Sequence, residues 1–135
     1  MNNLDNLGLR IGGLLFISPK EAWRISDSVV FIDIRPDYEI YGKCLNVKEV
    51  IYLAVSEISE NFTILDPGRT FIIADAVGIH TRKIAEFLLA NNFTNIACLN
   101  GGIFDWERDG LPLKIDAKEM LTGSCMCTMK KSHST

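Results

Sequence analysis

Five short apolar runs, each followed by a turn or a stretch of helical character, limit this chain to one broad class of fold. The runs are Leu14–Ile17, Val29–Ile32, Val50–Leu53, Thr70–Ala74 and Asn95–Leu99. Val29-Val30-Phe31-Ile32 and Thr70–Ala74 are continuous apolar runs of the kind found in strands buried on both faces. Between the runs, Ser18-Pro19-Lys20-Glu21 opens a helix, with Ser18 as N-cap and Pro19 at the first helical position. Thr81–Asn91 is the best helix, because Ile84, Phe87 and Leu88 share one face. Shorter helical pieces are expected at Asp37–Tyr41, Ser56–Phe62 and Ile103–Arg108. Asp66-Pro67-Gly68 marks a turn, and Gly101-Gly102 breaks the fifth run. Strands alternating with helices predict an α/β fold whose parallel sheet is covered on both faces.

The 135 residues suffice for one domain at roughly 100–200 residues each. Residues 14–116 hold the pattern. Residues 1–13 read as an N-terminal extension and residues 117–135 as a flexible tail. A formal net charge of -3 gives no basic signal for nucleic acid. The first residues lack a basic start followed by a long apolar core, so no signal peptide is evident. The longest apolar stretches fall far short of the ~20 residues that cross a bilayer. The expectation is a soluble cytoplasmic protein without a membrane partner and without a cofactor. Its cysteines, Cys44, Cys98, Cys125 and Cys127, are expected to be reduced in that compartment.

In an open α/β sheet, ligands bind beyond the carboxyl ends of the strands. The segment that fits runs from the fourth strand into the best helix: Asp75, Ala76, Val77, Gly78, Ile79, His80 and Thr81. A tight loop feeding a helix N-terminus aims several backbone N–H groups at one point and forms an anion cradle. A plain strand-to-helix connection is the competing reading, since many α/β proteins have such a loop.

Two further segments carry a family resemblance. Asp33-Ile34-Arg35-Pro36-Asp37-Tyr38-Glu39 resembles the Asp-x-Arg-x-x-x-Glu segment of rhodanese-like domains. Gly101-Gly102-Ile103-Phe104-Asp105-Trp106, continuing to Gly110-Leu111-Pro112, resembles that family's closing motif. The likeness covers about Leu14 to Lys114. It implies a rhodanese-like fold, a five-stranded parallel sheet with helices on both faces. Active members of the family carry a cysteine at the start of the loop after the fourth strand. Its thiolate takes a sulfane sulfur from a donor such as thiosulfate, and the persulfide rests among the loop N–H groups.

Matching Gly78 and the following helix to the family pattern puts Asp75 at that cysteine's position. His80 then stands where active members often have Arg, and Thr81 where they often have Ser. A carboxylate cannot carry a persulfide. It also repels an anionic donor, by about 4 kcal/mol for unit charges ~4 Å apart at an effective dielectric of ~20. Alternatively, the Asp75 carboxylate accepts the loop N–H groups itself, with His80 or Arg82 as counter-charge. The family's Gly-His-Ile-x-Gly-Ala rim is also altered, to Gly42-Lys43-Cys44-Leu45-Asn46-Val47.

Cys98 sits in an apolar run and reads as a small buried hydrophobe. Cys44 reads as a partly buried thiol of the rim. Cys125 and Cys127 flank Met126 in the tail, ahead of Lys130-Lys131, whose charge favours thiolate. With Met120, Met126, Met129 and His133 they form a soft donor set, though Cys-x-Cys supplies two ligands where structural zinc needs four. Trp23 and Trp106 read as core or core-edge aromatics. Two hypotheses follow. One is a rhodanese-like domain without sulfurtransferase activity at the family site, binding a protein partner or small anion over the loop. The other is a sulfurtransferase, thiol-redox or soft-metal protein working through Cys125 and Cys127, with His133 as a further metal ligand.

Overall fold

The computed structural model describes residues 4–40 and 42–115. Eight strands and five helices occur among them: β1 (Leu9–Ile11), β2 (Leu14–Ile17), α1 (Pro19–Arg24), β3 (Val30–Asp33), α2 (Asp37–Ile40), β4 (Lys43–Leu45), β5 (Val50–Tyr52), α3 (Ile58–Asn61), β6 (Phe71–Ala74), α4 (Thr81–Ala90), β7 (Ile96–Leu99), α5 (Gly102–Arg108) and β8 (Leu113–Ile115). The main sheet runs in the order β1-β2-β7-β6-β3-β5. Its five strands from β2 to β5 pair in parallel, as expected, in a mostly parallel α/β sheet.

Both faces of that sheet are covered because its inner strands are buried throughout and apolar at every position but Asp33. Val30, Ile32, Phe71 and Ile73 pack on one face with Ile84 and Leu88 of α4. Their neighbours Phe31, Ile72 and Ala74 pack on the other with Ala22 of α1 and Trp106 of α5. Period two within each strand thus feeds two separate cores. Trp106 is fully buried, with its ring edge-on to Phe31 at 5.7 Å and to the half-exposed Trp23 at 6.2 Å.

The structure departs from expectation at both ends of the domain. The segment read as an N-terminal extension supplies β1, which pairs antiparallel with β2 and makes a sixth strand. Leu4 is buried in the second core. The turn-rich stretch after Gly110 ends in β8, which pairs antiparallel with β4 in a separate two-stranded ribbon. These strands are three residues long, too short for periodicity to register. Residues 116–135, with Cys125, Cys127 and His133, lie outside the described residues.

Helix α1 starts where the sequence predicts. Ser18 Oγ accepts from the Glu21 backbone N–H, while Glu21 accepts from the Ser18 N–H at 2.9 Å and the Gly8 N–H at 3.0 Å. This capping box also fastens the segment before β1 to the helix. The backbone N–H of Ser18, then that of Gly8, hold the Glu21 carboxyl below its ordinary value of 4.5. A depressed folded-state pKa stabilises fully above the unfolded value and ceases as pH falls through the folded one. Ser18→Ala is therefore expected to cost about 1 kcal/mol at pH 7 in urea denaturation. The loss from Glu21→Gln should be full above the ordinary glutamate range and shrink as pH falls through the lowered folded-state value, where the parent carboxyl takes up its proton.

Candidate functional site

Strand β6 ends at Ala74, in register with Asp33 at the end of β3. Asp75 follows at the carboxyl edge of the sheet and is buried, with 3% exposure. Its carboxylate turns back into the loop. Oδ1 accepts the Gly78 N–H at 2.5 Å and Oδ2 accepts the His80 N–H at 2.7 Å. Gly78 permits this curl, having φ +88°, and an added Cβ would lie 3.1 Å from the Gly101 nitrogen. Among the described residues no ion pair joins Asp75 to His80 or Arg82. The Arg82 guanidinium instead lies beside the β1–β2 turn, 3.1 Å from where a Cβ on Gly12 would stand. The anticipated counter-charge is thus supplied by backbone amides and the N-terminal end of α4.

The second wall of the loop comes from far along the chain. At the start of α5, Ile103 N–H donates to the Asp75 carbonyl and Phe104 N–H to the Ala76 carbonyl, both at 2.9 Å. Gly101 and Gly102, with φ +74° and +63°, bring that helix against the loop backbone. Sequence reasoning took this glycine pair as a strand breaker and did not assign Ile103 and Phe104 a part in the site. Two adjacent glycines ahead of a helix were the available signal.

Three exposed apolar side chains stand around the loop mouth, beside the exposed His80. Val77 and Ile79 project from the loop, the latter 70% exposed, and Phe104 on the adjoining helix is 63% exposed. The Phe104–Ala76 hydrogen bond makes these parts of the surface adjoin.

Beneath the loop lie Thr81 and Cys98, both buried, with the Thr81 hydroxyl hydrogen-bonded to the thiol. Burial pushes the Cys98 pKa up to about 11; the Thr81 bond works against the shift and the Asp75 charge adds to it. Cys98 is a free thiol, as its place in an apolar run implied. It should not react with Ellman's reagent at pH 8 until denaturant is added. Rapid native labelling at Cys98 would contradict the burial described here.

At the end of β3, Asp33 and Arg35 form a buried ion pair. Nη2 of Arg35 stands 2.7 Å from Oδ2 of Asp33 and also donates to the Lys43 carbonyl at 2.8 Å. The altered rim thus becomes β4, anchored from beneath by Arg35. Cys44 on β4 is fully rather than partly buried, and it is disulfide-bonded. The expectation of reduced thiols fails at this position.

Comparison with known proteins agrees with this fold. A family model for the rhodanese-like domain covers residues 18–109. The thiosulfate sulfurtransferase GlpE of Actinobacillus pleuropneumoniae serotype 7 is 25% identical over 100 residues, covering 73% of this chain and 91% of the relative. GlpE of Haemophilus influenzae is 24% identical over 98 residues, covering 72% and 91%. Among solved structures, a rhodanese-related protein from Thermoplasma volcanium superposes with a TM-score of 0.68 at 23% identity, covering 74% of this chain and 97% of that one. The polysulfide-sulfur transferase homodimer of Wolinella succinogenes gives 0.66 at 21% identity, covering 74% and 77%. Among the described residues no helix is long and apolar enough to cross a membrane.

Proposed function

Since this chain belongs to the rhodanese-like domain family, we propose that it is a member without sulfur-transfer chemistry at the family site, serving as a binding or regulatory module. One observation carries the reading: both oxygens of the Asp75 carboxylate accept loop amides. An anion already covalently part of the chain fills the cradle where a donor or a persulfide would be held. Asp75 also stands at the position that the family resemblance assigns to the nucleophile. A carboxylate oxygen there cannot become a persulfide, and its charge opposes an incoming thiosulfate.

The same filling argues against a small free anion as the ligand of the parent protein. The exposed Val77, Ile79 and Phe104 favour a protein partner that covers the loop from outside. The expectation for the chain is a cytoplasmic protein with no need for metal or cofactor in this role.

The test is cyanolysis with thiosulfate, following thiocyanate release. The parent should show no turnover above the uncatalysed background. Asp75→Cys should gain it, because the thiol then faces the Gly78 and His80 amides. Asp75→Ala should leave those amides unpartnered and bind sulfate or thiosulfate where the parent does not, as read by calorimetry. Clear turnover by the parent would overturn the proposal. If that turnover vanished in Cys125→Ser, it would transfer the chemistry to the Cys125–Cys127 pair. An inert Asp75→Cys variant would show that more than the nucleophile is missing.

A further inference from the structure

Asn100-Gly101 is the one place in the chain where an asparagine precedes a glycine. Such a pair has a chemistry of its own. When the backbone nitrogen after an asparagine reaches the side-chain carbonyl carbon Cγ, it closes a five-membered ring and expels ammonia. A side chain on the following residue hinders that approach, and glycine has none. In a folded protein three further conditions decide whether the ring forms. The asparagine side chain must be free to turn, water must reach it, and no hydrogen bond can hold the attacking N–H.

Asn100 and Gly101 meet these conditions. Asn100 is exposed, in the turn between β7 and α5. Among the described residues, no hydrogen bond holds its side-chain amide and none holds the Gly101 N–H. The Asp105 carboxylate beside Gly101 is paired with Arg108 at 3.2 Å. Comparable positions differ. The Gly110 N–H, in Asp109-Gly110, donates to the Glu107 carbonyl at 3.0 Å. Asn91, Asn92 and Asn95 precede Asn92, Phe93 and Ile96, all with side chains in the way.

Both ends of the Asn100–Gly101 linkage are fixed. The Asn100 N–H donates to the Ile17 carbonyl of β2 at 2.8 Å. The Gly101 nitrogen packs on Gly78, 3.1 Å from where a Cβ of that residue would stand. Just beyond it, the Ile103 and Phe104 amides hold the Asp75 and Ala76 carbonyls.

We infer that Asn100 is a site of spontaneous deamidation, and that the modification unlocks the loop of residues 75–80. The Gly101 nitrogen gives its proton to hydroxide and attacks Cγ of Asn100. The bond from Cγ to the side-chain nitrogen breaks, and that nitrogen takes a proton from water and leaves as ammonia. Water then opens the ring. Addition at Cγ restores the main chain, with an aspartate at position 100. Addition at the backbone carbonyl carbon leaves the main chain running through Cβ and Cγ, one carbon longer. No oxidant or reductant takes part. Both products gain a negative charge, and only the second lengthens the chain. Between two fixed points, the extra carbon pushes the start of α5 off Gly78 and draws the Ile103 and Phe104 amides away from the loop carbonyls. The change runs one way, and it stands whatever the Asp75 carboxylate does with anions.

The test incubates the folded full chain at pH 8 and 37 °C and follows the tryptic peptide Ile84–Arg108 by mass spectrometry. The peptide should gain one mass unit at Asn100, with Asn91, Asn92 and Asn95 unchanged, and electron-transfer fragmentation separates the two products. Asn100→Gln should stay unmodified and keep the parent's urea midpoint. Amide exchange at Gly78 and His80 should be about tenfold faster in the lengthened product than in fresh protein. Freshly purified Asn100→Asp has the charge without the extra carbon and should exchange like the parent. A folded chain that stays unmodified while the guanidinium-unfolded chain is half converted would overturn the site. Unchanged exchange in the lengthened product, or equal acceleration in Asn100→Asp, would overturn the unlocking.

Discussion

Asp33→Ala should destabilise the protein by about 3–5 kcal/mol, a large share of a typical domain's total stability. Asp33 is fully buried and Arg35 nearly so. The carboxylate accepts the Arg35 backbone N–H at 3.1 Å, Nε at 3.0 Å and Nη2 at 2.7 Å. Removing it strands a guanidinium that cannot shed its proton. The converse change, Arg35→Ala, also releases the Lys43 carbonyl and so loosens β4. Urea denaturation checks both. The double replacement Asp33→Ala/Arg35→Met should recover part of the loss, because a buried pair taken out together leaves no orphaned charge. A loss below about 1 kcal/mol for Asp33→Ala would mean that water reaches the guanidinium readily.

Gly102→Ala is the second large effect, and it acts on the site directly. A Cβ there would stand 2.5 Å from the Asp75 carbonyl oxygen and 2.6 Å from the Ala76 carbonyl carbon, at φ +63°. The left-handed backbone alone costs about 1–2 kcal/mol for a side chain. The overlap is with backbone, which cannot rotate away, so α5 must withdraw from the loop. A total of about 3 kcal/mol or more is expected in denaturation. In the Asp75→Cys background the same change should abolish the gained thiosulfate turnover. Gly110→Ala is the matched control: φ is +73°, but nothing lies within 4 Å of the added carbon. It should lose only the conformational part and keep the turnover.

Much of the fold was legible because its signals are local. The apolar runs Val29–Ile32 and Thr70–Ala74 read as strands buried on both sides, and β3 and β6 are such strands. Ser18, Pro19 and Glu21 dictate the start of α1 within one turn of chain. Asp75 stood out for its residue type at a loop of recognisable shape. What was hidden depends on partners distant in sequence. Strand β1 has three exposed residues and forms because β2 offers an open edge. Strand β8 forms because Arg35 holds β4 in place to receive it. The hydrogen bonds from Ile103 and Phe104 to the loop join positions about thirty residues apart, through two glycines whose φ values no propensity predicts. Cys44 looked bland because a strand of three residues does not announce what lies beside it.

The tie between the loop and α5 also fixes how the site can breathe. The Asp75 and Ala76 carbonyls are held by the first amides of a seven-residue helix. That helix is itself pinned by the buried Trp106, whose indole N–H donates to the Pro112 carbonyl at 2.8 Å. Hydrogen exchange should therefore report one cooperative opening unit that joins residues 75–80 to residues 101–112, not a loop that frays alone. A partner that clamps Phe104 would slow exchange at Gly78 and His80 without touching either. Long-range protection of that kind would reveal occupancy of the site even where no chemical turnover exists to measure.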